Sequence, residues 1–430
     1  MNKFINEKMM PIAARVSQNK VLVAIRNGIT LAMPLIIIGS LFLILSAFPI
    51  EAWTNFLTEN GIDILLNKGV DATFGIMGMI AAFGIAHALA VQYDKDGISA
   101  GIISISSFFL VTPHILNTEV GNGIPVAYMG AKGLFVAMII GIFSAYIFIW
   151  FINHDIQIKL PESVPPAVAK SFSALIPGAA IIILWLIIYA VIQKTGVATG
   201  NIHDLLMQIF GGPLGLLGGT LAGTLVSIVL VSVFWFMGIH GANVVNSVIM
   251  PIWLMNTDAN RVAFQAGEEL PHIITQPFME NFVYMGGGGA TLGLVIAIAI
   301  TAMRRKSSKV TKSVAPLTLT PGIFNINEPA MFGLPIVLNI SLIIPFILAP
   351  VVNAIITYFA MSTGLVHGTI GTVIPWTMPP IISGFLATGG HISGSIVQLI
   401  CLTLNVLIYL PFFNVVELQN RKSETLENIN

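Results

Sequence analysis

Long apolar stretches broken by short charged clusters set the pattern of the 430-residue chain. About 20 apolar residues in a helix, rising 1.5 Å each, cross a hydrocarbon core of about 30 Å. Stretches free of Asp, Glu, Lys and Arg lie near 28–50, 72–93, 97–118, 133–153, 171–193 and 281–303, and each predicts one crossing. Two more, 205–257 and 329–416, are too long for one helix. The first holds about two crossings and the second between two and four. Two crossings in 329–416 leave a surplus rich in breakers, "GTVIPWTMPPIISGFLATGGHISGS". Backbone that is not helical at membrane depth is tolerated only where protein or a watery cavity satisfies its polar groups. The reading is therefore an all-α polytopic membrane protein of about ten transmembrane helices plus two re-entrant hairpins. One hairpin, Leu317 to Leu334, enters from inside, and the other, Gly371 to Ser393, from outside. Four crossings in the last stretch is the competing count.

Composition agrees, since hydrophobic residues make up 56% and charged residues only 9%, against roughly 25% in soluble domains. Too few charges remain to cover a water-exposed surface. Lysine and arginine mark cytoplasmic loops. Lys3, Lys8, Arg15, Lys20 and Arg26 place the N-terminus in the cytoplasm. The cluster Arg304, Arg305, Lys306, Lys309 and Lys312 shares that side, after eight crossings, and Arg421 and Lys422 put the C-terminal tail there too. Lys194 falls outside, against the trend. Residues 1–27 alternate charges with spaced apolar positions, as an interfacial amphipathic helix does, and no signal peptide is expected. A polar interlude at 154–170 separates an N-terminal helical bundle, 28–193, from a C-terminal domain, 194–416, which residues 417–430 follow as a cytoplasmic tail. Zero net charge without a basic, aromatic-interleaved patch argues against nucleic acid. One cysteine, Cys401, leaves no disulfide framework and no cysteine metal site; neither metal nor cofactor is expected.

An ionisable group in a membrane-embedded stretch costs a few kcal/mol on insertion scales, roughly 3 at mid-span, and so marks a site. Glu328 in "GIFNINEPAMFG" lies between Pro321–Gly322 and Pro329, with Asn325 and Asn327 beside it. Broken helix ends with free N–H and C=O groups are where carriers build substrate sites. His240 in "VFWFMGIHGANVVN" is held between glycines, with Asn243 and Asn246 following; the plain alternative is a hydrogen-bonded packing residue. Glu280 and Asn281 head a stretch that continues "FVYMGGGGATLG". Four glycines cost about 1 kcal/mol each in a helix relative to alanine, so Gly286 to Gly289 either allow tight helix contact or open backbone toward a cavity. Without a lysine at P-loop spacing they make no phosphate cradle. Trp376 in "IPWTMPP" and Trp235 in "FWFMG" suit stacking on a sugar ring, the plainer role being interfacial anchors.

Taken together, "LPESVPPAVAKSFSALIPG", "WFMGIHG", "GGGGATLGL", "GIFNINEPAMFGLPI" and "PWTMPP" resemble the membrane C component of phosphotransferase-system sugar permeases, in the lactose, cellobiose and diacetylchitobiose group. The resemblance runs over nearly the whole chain. It implies a homodimer in the bacterial cytoplasmic membrane, the N-terminal spans dimerising and the C-terminal spans holding a disaccharide. By resemblance, His240 and Glu328 are the catalytic pair approaching the sugar hydroxyl; Asn327, Asn281, Trp376, Trp235, Asn243 and Glu280, read from their own chemistry and position, are the expected substrate contacts. Phosphoryl would come from the phosphocysteine of a separate B component, a partner that Cys401 cannot replace. The function expected is import of a cellobiose-, diacetylchitobiose- or lactose-type sugar coupled to its phosphorylation. A proton- or ion-coupled carrier delivering unmodified sugar is the alternative that the residue chemistry alone also allows.

Overall fold

The structure, a computed structural model, describes residues 10–48, 50–117, 121–161, 163–334 and 339–427. Six helices among them are long and apolar enough to cross a membrane: Lys20–Ser46, Ile62–Val91, Ala131–Asn153, Pro166–Thr195, Ser341–Ser362 and Ile392–Leu426. A seventh forms if the pair Ile202–Gly218 and Leu221–Phe236, bent by 73°, counts as one broken span. Gly97–Val111 and Leu292–Ala302 are shorter apolar helices. Between Leu221–Phe236 and the glycine run stands Gly241–Ala266, a 26-residue helix that carries more polar side chains.

The ends follow local chemistry. Asn19 accepts hydrogen bonds from the backbone N–H groups of Val21 and Leu22, which caps Lys20–Thr30 and separates it from the short helix Met10–Ser17. Residues 20–27 thus continue into the first long helix, whereas the sequence pattern groups them with the interfacial stretch; residues 1–9 lie outside the described set. Asp96 caps Gly97–Val111 in the same way, and Gly196, at φ 66°, ends Leu175–Thr195 in a left-handed turn.

Helix is not universal. Ile115–Asn117 pairs antiparallel with Gly121–Gly123, a minor two-stranded exception within the all-helical fold. Its "GNG" strand is poor in helix formers, and the pairing satisfies backbone groups that a loop would leave to water. The stretch 281–303 also departs from a single span. Phe278–Val283 forms a π turn, and regular helix resumes only at Leu292.

Apolar side chains collect in two clusters. The first is built mainly by Ala24 to Leu206, the second by Ile228 to Val416. Gly241–Ala266 runs along the seam, giving Ile252 and Leu254 to the first cluster and Val245, Ile249 and Trp253 to the second. The segment between Ser341–Ser362 and Ile392–Leu426 folds back on itself, with the Ile370 N–H donating to Ala387 O at 3.0 Å. Its Val373, which packs in the first cluster, donates its N–H to Ser40 Oγ at 2.7 Å.

Candidate functional site

Glu328 sits on a backbone break that its own sequence enforces. The helix Lys309–Ile323 contains Pro316 and Pro321 and stops at Phe324. Asn325 then turns left-handed at φ 61°, a conformation asparagine tolerates better than most residues, and Glu328–Gly333 begins with Pro329 in its first turn. The buried Asn325 amide organises the surroundings. Its Oδ1 accepts from Gly286 N at 2.6 Å, and its Nδ2 donates to Trp376 O at 2.6 Å and Met378 O at 3.0 Å. One side chain therefore ties together the turn before Glu328, the glycine run and the tip of the folded-back segment.

The glycine run is shaped for that approach. Gly286 has φ 87°, and a Cβ there would stand 2.0 Å from Leu292 N; at Gly287, φ 91°, it would stand 2.8 Å from Asn327 Cγ. Neither position accommodates a side chain. Asn327 Nδ2 donates to Gly288 O at 3.2 Å, and Tyr409 OH to Gly289 O at 2.6 Å. Opened in this way, the run serves as a wall of backbone rather than as a helix.

His240 arrives from the other side. It is the N-cap of Gly241–Ala266, its Nδ1 accepting from Asn243 N at 3.3 Å. Its ring lies 4.4 Å from that of Trp235, tilted by 48°. Trp235 is buried, and a Cβ on Gly288 would come within 2.7 Å of its indole nitrogen, so the indole rests on the glycine run. Glu328 stands within electrostatic reach of His240. Both are open to solvent, as are Asn243 and Trp376, so the pair lines an accessible surface and not a sealed core.

Glu280 and Asn281 belong to a neighbouring network. Gln398 Nε2 donates to Asn281 O at 2.8 Å and to Ser383 Oγ at 2.9 Å, while its Oε1 accepts from Ile381 N at 2.5 Å and Gly384 N at 2.9 Å. Gln276 donates to the Glu280 carboxylate. No hydrogen bond among the described residues joins either residue directly to Glu328 or His240; Gln398 links Asn281 to Ser383 of the segment that carries Trp376.

This geometry has known counterparts. The family model for the phosphotransferase system EIIC component matches residues 26–350. The chain belongs to the EIIC family. It is 46% identical over 436 residues to the lichenan permease IIC component of Bacillus subtilis (strain 168), covering 99% of this chain and 95% of that one. A cellobiose-specific EIIC component from Geobacillus stearothermophilus is 45% identical, with 99% and 96% covered. Among solved structures, the transporter ChbC, the IIC component of the N,N'-diacetylchitobiose-specific phosphotransferase system, superposes with a TM-score of 0.92 at 43% identity over 98% of this chain and 99% of that one. The protein is thus a multi-pass membrane component of a sugar phosphotransferase system.

In this EIIC protein several buried polar atoms have no hydrogen-bond partner among the described residues: Trp235 Nε1, both amide atoms of Asn281, and Tyr284 OH. Buried polar groups are nearly always paired, so each of these is an unmet hydrogen-bonding demand. Two supports, Gln398 and Tyr409, were not singled out in the sequence, and Asn325 stood out only as a neighbour of Glu328. Gln398 offered a signal, an amide within "SIVQLICLTL", where an uncharged polar side chain inside a span commonly bonds to a neighbouring segment.

Proposed function

We propose that this EIIC protein imports a disaccharide of the cellobiose, diacetylchitobiose or lactose type while a phosphocysteine B component phosphorylates it. One observation supports the reading: a carboxylate and an imidazole, Glu328 and His240, both open to solvent and within electrostatic reach of each other, stand where two chain breaks expose backbone. Glu328 takes the proton of the sugar hydroxyl, and His240 holds the hydroxyl by a hydrogen bond. Phosphoryl transfer asks chiefly for such positioning and charge stabilisation. Trp235 and Trp376 offer apolar faces to the sugar rings, and Asn327, Asn243, Asn281 and Glu280 offer hydrogen bonds. The names of the relatives support a β-linked disaccharide.

Ten crossings follow if the six long helices and the bent pair are joined by Gly97–Val111, Leu292–Ala302 and Gly241–Ala266, with the Glu328 turn and the Trp376 segment as re-entrant hairpins. The basic turn at Arg304–Lys306 and both termini then face the cytoplasm. Residues 28–193 form the dimerising bundle and 194–416 the sugar domain, a division supported by the two apolar clusters.

The test is the chemical form of the product. Proteoliposomes holding the protein, given phosphorylated B component on the cytoplasmic face, are expected to release sugar phosphate there. Unmodified sugar, delivered only under a proton gradient, would establish the secondary carrier instead.

A further inference from the structure

A carboxylate base creates an electrostatic difficulty for the reaction proposed above. Glu328 must stand beside the sugar hydroxyl while a phosphoryl group of about two negative charges approaches the same oxygen. Two like unit charges 4 Å apart repel by about 4 kcal/mol at an effective dielectric of 20. A nearby cation is needed, and neither Glu328 nor its asparagine neighbours supply one.

Arg26 is placed to do so. It lies on Lys20–Thr30, which packs against Gly241–Ala266, the helix capped by His240. His240 is within electrostatic reach of Arg26 as well as of Glu328. The guanidinium is half-buried and, among the described residues, bonds only to the next side chain, its Nε and Nη2 donating to Asn27 Oδ1 at 3.1 and 2.9 Å. The ion pairs among the described residues involve Lys159 and Arg261, never Arg26. A cation within an apolar helix, without a carboxylate partner, is costly unless something anionic visits it. Its planar fork matches a phosphoryl group bidentately, which an ammonium does not.

We propose that Arg26 is a further catalytic residue, receiving the phosphoryl group as it passes between the B component and the sugar; the assignment rests on the function proposed above. In the step, the sugar hydroxyl oxygen bonds to phosphorus, the P–S bond of the phosphocysteine breaks, and its electron pair leaves with the cysteine thiolate. The hydroxyl proton goes to the Glu328 carboxylate. Arg26 keeps its charge throughout and offsets that of the equatorial phosphoryl oxygens.

The experiment compares wild type, Arg26→Gln and Arg26→Lys as full chains in proteoliposomes, with equilibrium cellobiose binding measured beside kcat and KM for phosphorylated B component. An arginine acting on a transferring phosphoryl group is worth about 10³-fold or more in kcat. Arg26→Gln should lose about that factor and keep its sugar affinity within about threefold, while Arg26→Lys, with charge but no fork, should fall between. Wild-type kcat in Arg26→Gln, or sugar affinity falling in step with kcat, would overturn the assignment. If Arg26→Gln does not fold, Arg26→Lys decides: a tenfold or greater loss of kcat at unchanged affinity supports the role, and wild-type kcat ends it. A wild-type protein that delivers only unmodified sugar defeats the parent function, and with it Arg26, whereas normal wild-type phosphorylation with an unaffected variant defeats Arg26 alone.

Discussion

Glu328 and His240 stand out in the sequence as candidates because each is an ionisable group in an apolar stretch that proline or glycine interrupts. Arg26 was not, since a cation near the start of a first span reads as an orientation signal, and only packing against Gly241–Ala266 brings it near His240. Asn325 was visible as a neighbour of Glu328, but its three bonds run to partners about 40 and 50 positions away, beyond any local pattern. The role of Glu328 has a direct check. Glu328→Gln preserves size and an acceptor oxygen and removes the base, so sugar binding should persist while phosphorylation falls by about 10² to 10⁴, the usual loss for a missing general base. Full phosphorylation in that variant would release Glu328 from the role. Cys401, fully buried with Thr357 Oγ1 3.9 Å from its sulfur, offers no competing phosphoryl carrier.

Apolar composition marks the stretch 281–303 as a span, and helix propensity inside it decides otherwise. Four glycines remove side-chain packing, and Asn325 draws the first of them into a bond that a helix would not offer. A comparable conflict sits at Ile381, a β-branched residue held at φ 79° directly after Pro379–Pro380. Such a conformation costs about 1 to 3 kcal/mol and persists only where surrounding bonds fix it. Gln398 supplies those bonds, accepting from Ile381 N and Gly384 N. Gln398→Leu should therefore loosen the whole Trp376 hairpin, because each buried group left without a partner costs roughly 1 to 3 kcal/mol. The expected outcome is a lower melting temperature together with weaker sugar binding. Gln398→Glu retains the acceptors for both N–H groups and loses only the donor to Asn281 O and Ser383, so its losses should be smaller. Equal effects from the two variants would mean that the Ile381 turn does not depend on that oxygen.

At the scale of the molecule, charge asymmetry and apolar clustering make separate predictions. Orientation rests on the basic turn, so single cysteines placed at exposed positions in a Cys401→Ser background should report it. Lys306→Cys should react with an impermeant thiol reagent only from the cytoplasm and His114→Cys only from outside; labelling from one shared side would break the crossing count. How the two clusters are joined was not legible, because the seam depends on which faces of Gly241–Ala266 meet each one. Near the far end of that helix from His240, Arg261 points its nearly buried guanidinium at two carboxylates and over the Phe74 ring. Asp258, on the same helix, is 2.8 Å away and mostly buried, while Asp71, from the first cluster's helix Ile62–Phe74, is 3.6 Å away with its side chain 63% exposed. Sequence separation would suggest that Asp71 holds the seam, and burial argues the reverse. A partly solvated, longer pair is worth no more than about 1 kcal/mol. Losing the close buried partner leaves a nearly buried cation with only the longer, solvated Asp71 pair, a loss approaching roughly 3 kcal/mol. Asp258→Asn should thus lower stability against chemical unfolding in detergent several times as much as Asp71→Asn, although only the latter breaks the ion pair between clusters. An Asp71→Asn loss as large as that of Asp258→Asn would show instead that the ionic contact across the seam holds the clusters together, and apolar packing along Gly241–Ala266 would lose that role.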